Sequence, residues 1–140
     1  MRKPIIGLLV GVLAVAFAGC AGEPATTVEN QIIKEISVAE AYTMIQANAG
    51  KADFVVLDVR TPSEFASGHL AGAILIDFNA SNFTTEVDKL DKTKRYLVYC
   101  RTSNRSGQAV AVMKSLGFKE VYDMDGGIVA WEAACYTTVK

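Results

Sequence analysis

No run or stripe of basic residues occurs in this sequence, and its formal charge at pH 7 is −1 with the one histidine neutral. Nucleic acid therefore finds no electrostatic footprint and is not expected as a partner. Nor is there an apolar stretch of spanning length, since the 14 apolar residues 5–18 fall short of the roughly 20 that a transmembrane helix needs. Internal repeats and low-complexity tracts are missing as well, so the chain points to one core and no second domain. Histidine occurs once, as His69, and cysteine three times, as Cys20, Cys100 and Cys135. No metal site and no cofactor is expected.

What is present begins with a leader. Arg2 and Lys3 form a basic start, the apolar run follows, and Gly19-Cys20 closes it, which by length and flanks reads as a secretory signal. Phe17-Ala18-Gly19-Cys20 resembles the lipobox of bacterial lipoproteins, in which the cysteine sulfur takes a diacylglyceryl group before cleavage ahead of it. The expectation is a signal peptide over residues 1–19, a lipid on Cys20, a small polar tether over residues 20–31 and a domain over residues 32–140. The protein is then exported and held at the membrane through Cys20, on the periplasmic or cell-surface side. Cleavage without lipidation and an uncleaved anchor are the alternatives. Removing residues 1–19 takes away Arg2 and Lys3, leaving 12 of the 14 basic side chains against 15 acidic ones.

Beyond the tether, strand-like and helix-like segments alternate. Residues 32–36 alternate apolar and polar, and Ser37-Val38-Ala39-Glu40 is a capping box opening a helix to about Ala47, closed by Gly50. Residues 54–57 (FVVL) form a buried-type strand, and Thr61-Pro62-Ser63-Glu64 is a second capping box with proline at the first helical position. A strand over 73–76, a helix over 82–90, a strand over 96–99, a helix over 106–116 ended by Gly117, a strand over 119–122 and a helix over 127–134 complete the series. Such alternation predicts an α/β domain, a parallel sheet with helices on both faces. In these sheets ligands bind at the carboxyl ends of strands, and Cys100 falls at one.

A loop that leaves a buried strand and enters a helix directly turns successive backbone N–H groups inward, and the helix start adds partial positive charge. Arg101 and Arg105 add guanidiniums, so negative charge on the Cys100 sulfur is favoured and the thiolate can act as nucleophile. The same N–H groups can hold an oxyanion. Thr102, Ser103 and Asn104 are small enough to let the loop curl without filling it, and Ser106 is expected to cap the helix. An inert buried thiol is the bland alternative for Cys100.

The runs Asp58-Val59-Arg60-Thr61-Pro62-Ser63-Glu64-Phe65 with Gly68-His69-Leu70-Ala71-Gly72-Ala73-Ile74, then Tyr99-Cys100-Arg101-Thr102-Ser103-Asn104-Arg105-Ser106, then Gly126-Gly127-Ile128-Val129-Ala130-Trp131, together resemble a single rhodanese domain. The resemblance implies a five-stranded parallel sheet and a cysteine that cycles through a persulfide. It makes Cys100 the sulfur carrier and the residues Arg101, Thr102, Ser103, Asn104, Arg105 and Ser106 its substrate cradle. The substrates it implies are a small sulfur-containing anion such as thiosulfate as donor and a thiol or cyanide as acceptor. The loop counts six residues over 100–105, one fewer than in the related cysteine phosphatases, which favours sulfur transfer. Ser103 stands where the family often has glycine, and a non-glycine residue resists positive φ there. A module of the same fold that carries sulfur without turning over is the alternative function.

The neighbouring residues have structural readings. Asp58, Arg60 and Glu64 form a charge cluster at the sheet end, His69 packs in its turn, and Gly126-Gly127 permits a tight turn beside the loop. Trp131 belongs to the core, and Cys135 reads as a small hydrophobe facing inward from the last helix. A disulfide between Cys100 and Cys135 is conceivable in an oxidising compartment, but it locks the nucleophile.

Overall fold

The computed structural model describes residues 30–140; Cys20 and the leader lie outside the described residues. Five strands and five helices alternate. They are β1 (Ile32–Ile36), α1 (Val38–Asn48), β2 (Phe54–Asp58), α2 (Pro62–Ser67), β3 (Ile74–Leu75), α3 (Phe83–Asp88), β4 (Arg95–Tyr99), α4 (Asn104–Ser115), β5 (Glu120–Met124) and α5 (Gly127–Ala133). All strand pairs are parallel and the order is β1-β5-β4-β2-β3.

The centre of that order is also its driest part. Tyr96, Leu97, Val98 and Tyr99 of β4 are buried on both faces, which is why the strand is a continuous apolar run rather than an alternation. Successive side chains point to opposite faces. Tyr96, Val98 and Cys100 join Phe83 and Val87 of α3 and Ala109, Val110 and Met113 of α4 in one core. Leu97 and Tyr99 join Ala41 of α1 with Ile128 and Trp131 of α5 in the other. Helices therefore cover both faces, as the alternation requires.

Both capping boxes form. Ser37 and Glu40 exchange side-chain to backbone bonds at the start of α1, and Thr61 and Glu64 do the same at α2, each contributing about 1 kcal/mol. The domain's first described residues are fastened too, because Gln31 Nε2 donates to the carbonyls of Lys114 in the last turn of α4 and of Phe118 beyond it.

Three expectations need correction. The third strand is shorter than residues 73–76, although Ile76 N still donates to Asp58 O at 3.0 Å and continues the pairing as single backbone bonds. The helix after the cysteine starts at Asn104, two residues before Ser106, because Ser103 takes a left-handed φ of 78° and its carbonyl receives Gly107 N at 2.9 Å. Ser106 is thus inside the first turn, not its cap. Cys135 follows α5 at φ 61° and is exposed, since the turn that ends the helix swings it out to solvent.

The sheet's last turn presses against the cysteine loop. Gly127 has φ +58°, and a Cβ there stands 2.5 Å from the carbonyl oxygens of both Cys100 and Arg101. Gly127→Ala is expected to lower stability by about 2 to 5 kcal/mol, combining left-handed strain with overpacking. Gly117→Ala, at φ +87° with nothing within 4 Å, carries the strain alone and is expected to cost about 1 to 2 kcal/mol. Urea denaturation of the two variants measures the difference, and equal losses contradict the close approach.

Candidate active site

The site is built from the end of β4 outward. Cys100 follows the strand and is 1% exposed, so its thiol lies beneath the loop and not at its rim. The carbonyl of Cys100 accepts Ile128 N at 2.9 Å, and that of Arg101 accepts Val129 N at 3.2 Å. A trans peptide sets its N–H opposite its C=O, so these two bonds turn the N–H groups of Arg101 and Thr102 away from α5. Among the described residues, no protein acceptor receives the N–H groups of residues 101–106. A loop with that many free donors at a helix start can bind an anion.

Ser103 closes the curl. Its φ of 78° costs about 1 to 2 kcal/mol for a non-glycine residue, offset in part by the bond from its Oγ to Met124 O at 3.3 Å. The strain expected from a serine at that position is therefore present, and the curl forms nonetheless. Ser106 is fully buried and its Oγ donates to Ser103 O at 3.2 Å, tying the third residue of α4 back to the apex. Asn104 and Thr102 are exposed, and Asn104 accepts from Gln108 Nε2 along the helix.

Arg105 is committed to a partner. Its Nη1 and Nη2 each donate to one oxygen of Glu64 at 2.7 Å, a two-pronged pair that bridges α4 to the start of α2. The same Glu64 oxygen closes the capping box with Thr61 N and Oγ1. The Arg105 hydrogen bonds hold the Glu64 carboxyl down at about 2, and Glu64 in turn raises Arg105, with the Cys100 sulfur a smaller contributor in the same direction. The Arg101 guanidinium makes no hydrogen bond or ion pair to another described residue. It borders a cleft of about 190 Å³ between α2 and α5, together with Arg60, Glu64, Gly68, Val129 and Glu132. A larger hollow of about 650 Å³, lined by Lys34, Met44, Arg95 and Tyr122 among others, reaches Arg95 at the opposite end of β4 from the cysteine.

The expected cluster of Asp58, Arg60 and Glu64 divides in two. Arg60 donates through Nε and Nη2 to Asp58, at 2.6 to 3.0 Å, and through Nη2 to Gly68 O at 2.7 Å, with both side chains nearly fully buried. Burial opposes its charge, but Asp58 more than offsets this and its pKa lies above the ordinary value. The guanidinium stands 5.6 Å from the centre of the Tyr99 ring, whose hydroxyl is pushed strongly upward by burial and accepts Leu70 N at 3.1 Å. This pair is structural. His69 stacks on Phe65 at 3.7 Å with Nδ1 against Phe65 O, and Val139 pairs with its backbone, so it is packed as expected. Trp131 is core, its Nε1 donating to Thr137 O. Cys100 and Cys135 are both free. No group of three or more metal-ligating side chains occurs among the described residues.

A parallel sheet whose central strand delivers a buried cysteine into an anion-binding curl, clamped by a double-glycine helix start, defines the rhodanese-like class, and this chain belongs to it: residues 37–134 match the family model for the rhodanese-like domain. Among its relatives is the thiosulfate sulfurtransferase GlpE of Pseudoalteromonas translucida, 33% identical over 102 residues that cover 72% of this chain and 90% of the relative. A sulfurtransferase of Allochromatium vinosum is 28% identical over 96 residues, covering 69% of this chain and 88% of the relative. The crystal structure of a rhodanese-related protein from Thermoplasma volcanium superposes with a TM-score of 0.65 at 33% identity, covering 76% of this chain and 97% of that one.

Glu64 has a depressed pKa, so its contribution to stability is complete above its unfolded value near 4.5 and is lost as pH falls toward about 2. Glu64→Gln is expected to cost about 1.5 to 3 kcal/mol at neutral pH and almost nothing at the acid end of that range. Urea denaturation at stepped pH checks this; a loss independent of pH contradicts the ion-pair account.

Proposed function

We propose that this domain is a sulfurtransferase in which Cys100 carries a sulfane sulfur as a persulfide. The observation that carries the reading is the setting of Cys100 at the end of β4, inside a six-residue curl whose N–H groups find no acceptor among the described residues. With thiosulfate as donor, the Cys100 thiolate attacks the outer sulfur, a Cys100 S–S bond forms, and the donor S–S bond breaks with its electron pair leaving on sulfite. A thiolate or cyanide then attacks the terminal persulfide sulfur, and Cys100 leaves as the thiolate. The free N–H groups stabilise the anionic sulfur in both resting forms.

The two arginines divide the work. Arg105, held by Glu64, stiffens the loop and adds field at the sulfur, while Arg101 offers the unpaired guanidinium at the mouth to the anionic donor. Thr102 and Asn104 contribute backbone N–H groups to the curl and turn exposed side chains away from the core, and Ser103 and Ser106 shape it. A loop of this length suits one sulfur; a phosphoryl group needs three oxygens inside the ring of donors, so aryl phosphate hydrolysis is expected to be negligible. The near-complete burial of Cys100 favours a second reading, a carrier that hands its sulfur only to a docked partner and turns over slowly with small acceptors.

Mass spectrometry of the fragment lacking residues 1–20 is expected to show a gain of one sulfur after incubation with thiosulfate, abolished by Cys100→Ser. A gain that persists in the variant makes exposed Cys135 the carrier and overturns the assignment. Steady-state turnover with cyanide or a small thiol on the same sample separates enzyme from carrier.

We also propose that Cys20 anchors the domain to a membrane, on the strength of Ala18-Gly19-Cys20 after the apolar run. Each buried acyl methylene contributes about 0.8 kcal/mol, so two or more chains hold stably. The full chain is expected to fractionate with membranes and incorporate labelled fatty acid, and Cys20→Ala to do neither; absence of label on the wild type removes the lipid.

A further inference from the structure

Beneath the first turn of α4 lies a carboxylate that the mechanism above does not use. Asp123 of β5 is 6% exposed, and its Oδ1 has no hydrogen-bond partner. A buried acceptor without a partner is costly, and a native one calls for a reason. The other oxygen, Oδ2, packs under Gly107, where an added Cβ stands 3.5 Å from it. Ser106, the residue before Gly107, is fully buried beside it, and its hydroxyl lowers the carboxyl's pKa. Yet that hydroxyl has one proton, and in the structure it is directed to Ser103 O at 3.2 Å. Ser103 is the left-handed apex of the cradle.

We propose that Asp123 is a positioning residue for the cysteine loop, acting through the Ser106 hydroxyl on the strained Ser103 turn that closes the cradle. A neutral Asp123 carboxyl can donate to Ser106 Oγ while Ser106 donates to Ser103 O, a continuous chain that holds the apex. An ionised Asp123 draws the Ser106 proton to itself, and Ser103 O keeps only Gly107 N, at 2.9 Å. The structure holds the Ser106-to-Ser103 half of the first arrangement, and Asp123 Oδ1 stands beside it with no partner among the described residues.

The surroundings put this exchange in an accessible range. Burial raises the Asp123 carboxyl to about 6, Ser106 on α4 opposes that, and Glu35 on β1 and Asp125 just past β5 add to it. On the β4 side its register partner is apolar Val98, and no cation is among the groups that shift it. Because the folded value is raised, the chain through Ser106 is complete below about 6 and is lost as pH rises through it. The inference does not need the sulfur-transfer reading, since it concerns the loop around Cys100 whatever the loop transfers.

The test follows the second-order rate of Cys100 alkylation by iodoacetamide in a Cys135→Ala background, from about pH 5 to about pH 8, with backbone amide spectra of residues 103–107 over the same range. The wild-type loop is expected to show an inflection near 6, about three- to tenfold in amplitude as befits one neutral hydrogen bond, with the amides titrating at the same midpoint. Asp123→Asn and Ser106→Ala are each expected to abolish that inflection. An inflection that survives both substitutions, or amides that do not move between pH 5 and about 7, overturns the proposal. Loss of thiosulfate turnover in the wild type, with the alkylation inflection intact, strikes the sulfurtransferase reading alone.

Discussion

Two backbone hydrogen bonds, from Ile128 and Val129 to the carbonyls of Cys100 and Arg101, decide what this domain can do. Once those carbonyls face α5, planarity of the peptide turns the following N–H groups the other way, and the curl acquires its donors without any polar side chain. The arrangement requires the start of α5 to approach within contact distance of the loop backbone, and only a residue without Cβ at 127 permits that. The loop, the double glycine and the central position of β4 are therefore one constraint seen from three places in the chain. Burial of β4 fixes where the cysteine emerges, and α5 fixes which way the loop opens.

Features written in a few consecutive residues were legible beforehand, and features made by distant ones were not. The capping boxes at Ser37 and Thr61 are local chemistry, and they form as read. The glycine pair beside Trp131 and the apolar run of β4 carry their own physical reasons. Glu64 was read as part of a cluster with Asp58 and Arg60, but its side chain crosses 41 positions to Arg105, and no local pattern announces such a pairing. The start of α4 was misplaced because serine is a poor left-handed residue and a good cap. Tertiary bonds to Met124 and from Ser106 outweigh that preference at 103. Cys135 was assigned inward because free cysteines usually are, and the turn after α5 overrides the habit.

The two arginine pairs beside the loop differ in kind despite similar distances. Asp58 and Arg60 are two residues apart on the chain, almost dry, and satisfied by Gly68 as well, so their cost of desolvation is met by hydrogen bonds on nearly every atom. They brace the turn between β2 and α2 under the Tyr99 ring. Glu64 and Arg105 retain 28% and 20% side-chain exposure and join separate elements, so water shares in their solvation and the pair ties α4 to α2 at the edge of the core. One pair braces the sheet end from within, and the other fastens the loop's helix from its rim.

Burial of the Cys100 thiol then sets the remaining constraint. The core surrounds the side chain, so on the proposed reading an added sulfur has the curl and its free N–H groups as its one polar neighbourhood. On the proposed reading, the terminal sulfur of a persulfide formed there would be the atom that an acceptor must reach. The cleft bordered by Arg101, Val129 and Glu132 is narrow, with the unpaired Arg101 guanidinium, the carboxylates of Glu64 and Glu132 and an exposed apolar side chain at its edge. Small anions meet an attractive charge there, whereas a larger acceptor must also fit between α2 and α5. Acceptor access, more than the chemistry of the cysteine, is what separates a catalyst from a carrier in this fold.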